Sequence, residues 1–251
     1  MILAALDTTA PHELTMPVKV AQSADQPQMN RPALLIRILG AVGAERDAQP
    51  LYLGPARQRE LLAILALRRC GPVSVEQLAE DLWGEQAPRS AENLLHTYLG
   101  RLRRALAGRA GEAPVLLSRC PGYHLTVRSE QIDGMLFERW LGQARSAMST
   151  GDLETAQALL NRALAAWTGP RALAGATGPL ASAERARLEE LRLDAVEDLA
   201  AVRLTRGDCR GVVAELRALV AQHPLRERLW ALLLAGLART SRRGEALTAF
   251  H

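Results

Sequence analysis

Lysine is almost missing from this chain. Its 251 residues include 31 basic side chains, of which only Lys19 is a lysine, leaving 30 arginines. Lys19 is followed by Val20, so no Gly-Lys-Ser/Thr phosphate loop is possible, which excludes the P-loop nucleotide hydrolases for this chain. Cysteine is also sparse. Cys70, Cys120 and Cys209 stand far apart with no Cys-x-x-Cys pair, which argues against a disulfide framework and a zinc module. They read instead as small buried or half-buried apolar residues. Aromatic residues make up only 4%. Trp83, Trp140, Trp167 and Trp230 fall on predicted helices or their ends, where core packing is their role.

Long apolar runs are missing too. No stretch approaches the ~18 uncharged apolar residues of a membrane span. The start, MILAALDTT, is apolar only briefly and lacks the basic region of a signal peptide. There is no Gly-x-Ser-x-Gly elbow and no Gly-x-Gly-x-x-Gly loop. His124 and His223 lack spaced Cys, His or acidic partners for a metal. The expectation is a cytoplasmic, nucleoid-associated protein that is not an enzyme, with no cofactor, no metal and no membrane partner.

What is present is a local basic surplus. The net charge is +4, but residues 1–30 carry −2 and residues 129–251 only +1. Residues 31–128 hold 14 arginines against 9 acids, and within them residues 89–128 hold 7 arginines against Glu92 and Glu112. A surplus confined to 40 residues points to a polyanion.

The hydrophobic content of 48% and the length leave room for two modest domains, at roughly 100–200 residues each. Residues 1–30 mix Pro, Gln, Asp and Thr without periodicity and read as a tail. LLIRILGAVGA reads as a strand, and PLYLG beyond ERDAQ as its hairpin partner. A helix over Arg57–Arg69 stops at Gly71-Pro72. Ser74, with Gln77 completing a capping box, opens a second helix that Gly84 ends. Ser90, with Asn93 at the third position, caps a third helix running to about Ala107. Its leucines at 95, 99, 102 and 106 form one stripe. VLLSR and YHLTV flank Cys120-Pro121-Gly122 as a terminal hairpin. Strands, three helices and a hairpin over residues 31–128 make a winged helix-turn-helix.

From Asp133 the pattern is helical throughout, with segments near 133–149, 152–167, 180–206, 208–222, 226–240 and from 244. Val212 and Leu247 lie 35 positions apart in similar settings, near the ~34-residue tetratricopeptide period. The fold expected is mainly α: an α+β winged helix, then an all-α tetratricopeptide-like domain over 133–251. That domain ends at Phe250-His251 inside an amphipathic pattern and reads as cut short.

With its leucines inward, the third helix presents Asn93, His96, Thr97, Gly100, Arg101, Arg103 and Arg104. An α-helix fits the DNA major groove, where Arg pairs with guanine and Thr meets the thymine methyl. Flanking arginines hold phosphates and set the register. His96 is a candidate for a backbone contact. The Tyr98 hydroxyl reaches a phosphate, or its ring packs on the neighbouring helix; both readings stand.

QRELLAILAL, VSVEQLAEDLWGEQAPRSAENLLHTYLGRLRRAL and PGYHLTV resemble the OmpR-type DNA-binding domain of Streptomyces antibiotic regulatory proteins. FERWLGQAR, GDLETAQALLNRALAAWTGP, ARLEELRLDAVEDL and HPLRERLWALLLAGLARTSRRGEAL are similar to the bacterial transcriptional activator domain of that family. The resemblance covers about residues 34–251. It implies base-reading positions at Arg101 and Thr97, phosphate contacts at Arg103 and Arg104, and a wing arginine, Arg119, in or beside the minor groove. Tyr123 of the same turn joins the candidate contacts. Gly100 and Cys120 depart from the residue types usual at their positions. The resemblance further implies activation of a secondary-metabolite (antibiotic) gene cluster from direct repeats in promoter DNA. The protomers would be paired on DNA, as a homodimer or side by side. Recruitment would be of RNA polymerase holoenzyme, through sigma factor and the C-terminal domain of the polymerase alpha chain. Two alternatives remain beside it: a helical adaptor for protein partners, and the N-terminal part of a larger regulator with an ATPase domain.

Overall fold

The computed structural model of the chain describes residues 33–108 and 112–240. The expected tail, the helix expected from residue 244, and Leu247 of the 35-residue spacing lie outside the described residues.

The described chain opens with a small antiparallel sheet. β1 (Leu34–Arg37) pairs with β2 (Gly43–Arg46), which pairs with β3 (Gln49–Pro50). The register sets Leu34 opposite Arg46 and Arg37 opposite Gly43. LLIRILGAVGA is therefore not one strand but two, folded back on each other. The break has a physical cause: Ile38, Leu39 and Gly40 turn their backbone groups to the helical domain. Their carbonyls accept from Leu173, Thr168 and Ala174, each at 2.8 Å. The Ile38 and Leu39 amides donate to the Asp133 carboxylate at 2.7 and 3.3 Å.

Three helices follow. α1 (Ala56–Leu67) starts behind Pro55 and is buried on most sides from Glu60 to Ala66. α2 (Val75–Trp83) is capped by Ser74, whose Oγ accepts from the Gln77 amide at 3.2 Å. The reciprocal half of the expected capping box is not made, because the Gln77 amide group donates to Glu80 and Asp81 instead. Gly84 ends α2 at φ +56°, a left-handed conformation that glycine adopts without penalty. α3 (Ala91–Ala105) begins after Ser90, as expected, but that hydroxyl makes no capping bond. Leu95, Leu99, Leu102 and Leu106 are all fully buried, as their 4-3-4 spacing predicts. The wing is β5 (Leu116–Arg119) and β6 (Gly122–Leu125), joined through Cys120-Pro121; β6 also pairs with the short β4 (Val73–Ser74).

The helical part comprises α4 (Asp133–Ser149), α5 (Leu153–Ala165), α6 (Pro179–Thr205), α7 (Cys209–Gln222) and α8 (Glu227–Arg239). α6 is about 40 Å long at 1.5 Å per residue and acts as the spine. It touches α1 and α2 of the winged helix as well as α4, α5, α7 and α8. One apolar core runs from Leu34 through α1–α3 and the wing into α4, α5 and α6 as far as Val202. A second joins the end of α6 to α7 and α8 through Leu204, Val213, Leu216 and Leu233.

Buried acids lock the winged helix to the spine. Glu60 of α1, 1% exposed, accepts from the Thr177 and Gly178 amides at 2.8 and 2.5 Å, at the entrance to α6. A Cβ on Gly178 would lie 2.6 Å from the Leu82 carbonyl oxygen and 2.8 Å from that of Asp81, so only glycine lets the chain pass. Further along α6, Glu190, Asp194, Glu197 and Asp198 are clasped by Arg145 of α4 and by Arg226 and Arg228 at the start of α8.

Trp167 is buried edge-on to Phe137, with the Arg192 guanidinium 4.4 Å over its ring, and Arg162 lies over Trp140 in the same way. Trp83 and Trp230 pack against the two cores. The cysteines depart from expectation. Cys70 and Cys120 are exposed, because each sits in a turn, and only Cys209 is half-buried. Among the described residues no helix is long and apolar enough to cross a membrane.

Candidate nucleic-acid interface

The leucine stripe decides which way α3 faces. Asn93, Thr97, Gly100 and Arg104 repeat its 4-3-4 spacing two residues out of step, which turns them about 200° from the leucines, toward solvent. Asn93, Thr97 and Arg104 are exposed. The Thr97 hydroxyl donates to the Asn93 carbonyl oxygen at 2.9 Å, and Arg104 Nε makes a long 3.4 Å bond to the Gly100 carbonyl oxygen. Nothing lies within 4 Å of a Cβ built on Gly100, so the helix surface there is open to close approach. Arg101 lies on one flank of this stripe. It is exposed and has no protein partner among the described residues. Tyr98, on the same flank, is half-buried against the main core, in keeping with the packing reading of its ring.

On the other flank, seven residues apart, stand His96 and Arg103. His96 Nδ1 is 2.9 Å from the Tyr123 hydroxyl, with the rings edge to face at 6.1 Å. Its Nε2 is 3.7 Å from Glu92. Arg103 Nε donates to the Leu116 carbonyl oxygen at 3.2 Å. Arg119, at the exposed end of β5, faces Gly122 across the turn. The structure thus gathers eight of the nine candidate residues around α3 and the wing, while Tyr98 points its ring to the core side.

Some features of this surface escape sequence reasoning. Arg46, from β2, donates to the Leu106 carbonyl oxygen at 2.9 Å and pairs with Glu112 at 3.2 Å, closing the C-terminal end of α3 with a cation. Its chain distance of 60 residues from Leu106 leaves no local signal. Arg89, counted in the surplus but given no role, is exposed in the α2–α3 connection with no partner among the described residues. His124, by contrast, is satisfied by the Arg69 carbonyl oxygen at 3.1 Å. The described residues contain no cluster of three or more His, Cys, Asp or Glu placed to hold a metal.

Comparison with known proteins matches the same two regions. Residues 49–125 match the family described as transcriptional regulatory protein, C terminal, and residues 132–251 match the bacterial transcriptional activator domain. Regulatory protein AfsR of Streptomyces coelicolor is 40% identical over 219 residues, covering 87% of this chain and 22% of AfsR. The chain therefore spans about a fifth of the length of that relative. Regulatory protein DnrI of Streptomyces peucetius is 34% identical, over 86% of this chain and 81% of DnrI. Among solved structures, Mycobacterium tuberculosis EmbR in complex with a low affinity phosphopeptide superposes with a TM-score of 0.81 at 32% identity. That match covers 87% of this chain and 58% of EmbR. Both domains in the same order, and a relative matched along four-fifths of its length, place the chain in a known group: it belongs to the family of Streptomyces antibiotic regulatory proteins.

Proposed function

We propose that this chain is a sequence-specific, DNA-binding transcriptional activator. The observation that carries the reading is the solvent face of α3: Asn93, Thr97, Arg101 and Arg104 stand out from a buried leucine stripe, beside a wing tipped by Arg119. A helix of this kind enters the major groove, where a free guanidinium reads guanine and a threonine methyl meets thymine. Arg104, Arg89 and Arg119 then hold phosphates and fix the register.

A single winged helix buries limited surface, so pairing on DNA raises affinity. Two protomers on direct repeats about one turn apart place both recognition helices on one side of the duplex. The helical domain holds the protomers side by side and offers the surface that recruits RNA polymerase holoenzyme, through sigma factor and the C-terminal domain of the polymerase alpha chain. Family membership favours a promoter in an antibiotic or other secondary-metabolite cluster.

The test is selection of the purified protein against a random duplex pool at near-physiological salt. Enrichment of a direct repeat is expected. Arg101→Ala should weaken binding to that repeat by about 1–3 kcal/mol, roughly 5- to 150-fold, and relax one base position. Retention without enrichment, vanishing at moderate salt, would overturn the reading and leave a nonspecific basic surface.

A further inference from the structure

Three candidate DNA contacts are already engaged inside the protein. His96 and Arg103 lie two turns apart on α3, about 10 Å, on the flank that faces the wing. His96 meets the Tyr123 hydroxyl on β6 at 2.9 Å. Arg103 meets the Leu116 carbonyl oxygen at the start of β5 at 3.2 Å. Leu116 pairs with Leu125, and Tyr123 with Ser118, so the two bonds grip the hairpin at its base and toward its tip. We propose that His96, Tyr123 and Arg103 are positioning residues: a two-point clasp that sets the angle of the wing against the recognition helix.

This inference rests on the DNA-binding reading for its purpose, but not for its existence. A free β-hairpin is marginally stable, and β4 contributes only two residues to this sheet. Apart from the clasp the wing is anchored at its base by Leu116 and Leu125 and by the His124 bond to the Arg69 carbonyl oxygen, while its tip is exposed. With the clasp, Arg119 is presented at a fixed distance from Arg101 and Thr97, so the ordering of the wing is completed before DNA arrives. Preorganisation of this kind strengthens binding by removing an ordering penalty, not by adding a contact.

The two roles, clasp and direct phosphate contact, separate cleanly in experiment. Tyr123→Phe removes one hydroxyl and keeps the ring. A hydrogen bond of ordinary net strength corresponds to about fivefold in an equilibrium. In the full chain without DNA, amide hydrogen exchange in β5 and β6 should rise about fivefold in Tyr123→Phe. His96→Ala should match it, and the double variant should add nothing further. On the duplex enriched in the selection above, Tyr123→Phe should bind more weakly, by at most about fivefold. Its base preference and the slope of log affinity against log salt should both be unchanged. Unchanged exchange in the free protein would overturn the clasp. So would weaker DNA binding by Tyr123→Phe with wing exchange unaltered, the signature of a lost direct contact. Should wild-type protein select no duplex, the DNA reading fails while the exchange measurement still decides the clasp.

Discussion

Replacing Glu60 by alanine tests how the two domains are joined. Glu60 Oε1 accepts both the Thr177 and the Gly178 amides, while Oε2 pairs with Arg57 Nη1 at 2.9 Å. The side chain is 1% exposed. Each charge-assisted bond contributes about 1.5–3 kcal/mol, and the alanine variant leaves the buried Gly178 amide, the part-buried Thr177 amide and the Arg57 guanidinium without that carboxylate. Relief from burying a carboxylate, and the 41% exposure of the Arg57 side chain, offset part of this, so the net loss is about 2–4 kcal/mol. Against a total stability of about 5–15 kcal/mol that is a large fraction. At an m-value of about 2 kcal/mol/M, the urea midpoint should fall by roughly 1–2 M. Unfolding should be followed by far-ultraviolet circular dichroism, which sees the helices, and by tryptophan fluorescence, which sees Trp83, Trp140, Trp167 and Trp230. Since one core spans the seam, both signals should move together with m unchanged. Glu60→Gln keeps an oxygen for the two amides and should lose only about 1–2 kcal/mol, the ion-pair share. A loss below about 1 kcal/mol in the alanine variant, or two separated transitions, would refute the argument that this carboxylate fastens α6 to the winged helix.

Further outcomes follow from the other buried charges. Burial raises the Asp133 pKa from 3.8 to about 6, against the lowering influence of the Ile38 and Leu39 amides and Arg37. A raised folded-state value means that this group's stabilisation is fully present below pH 4 and is lost as pH rises through about 6, amounting to about 3 kcal/mol. The stability difference between wild type and Asp133→Asn should therefore shift toward the variant between pH 4 and pH 7; a pH-independent difference in urea titrations would refute this. Arg226 bonds to Glu190, Asp194 and Glu197, of which Glu197 is 1% exposed, while Arg228 remains beside Glu197 and Asp198. Arg226→Ala should cost about 1–3 kcal/mol in thermal or urea unfolding, less than a complete loss of partners, and no measurable change would refute that clasp.

The third helix was legible in the sequence because its signal is local. Four leucines at 4-3-4 spacing fix the inward face, and every other residue of α3 is then placed by the helix period. Ser74 and Gly84 were legible for the same reason, as each acts within one turn of its own helix. The seam was not. Glu60 is bonded to residues 117 and 118 positions away, and Asp133 to residues 94 and 95 positions away. In sequence each reads as one more solvated acid. The break in LLIRILGAVGA was hidden likewise, since its cause is the segment from Thr168 to Ala174. Within the interface, the bonds of His96 to Tyr123 and of Arg103 to the Leu116 carbonyl oxygen were hidden as well, because an exposed basic helix face says nothing about a hairpin folding over one side of it.

The seam also limits how such proteins can be recombined. The stretch between the wing and α4 has the look of a hinge at which one reader of DNA could be exchanged for another. A cut there would strand the Ile38 and Leu39 amides without Asp133, and the Thr177 and Gly178 amides ahead of α6 without Glu60. Hybrids that swap the amino-terminal half alone should aggregate or melt early, whereas those that also carry the donor's residues 133 and 168–178 should fold. The unit of exchange is the fitted joint, not the winged helix by itself.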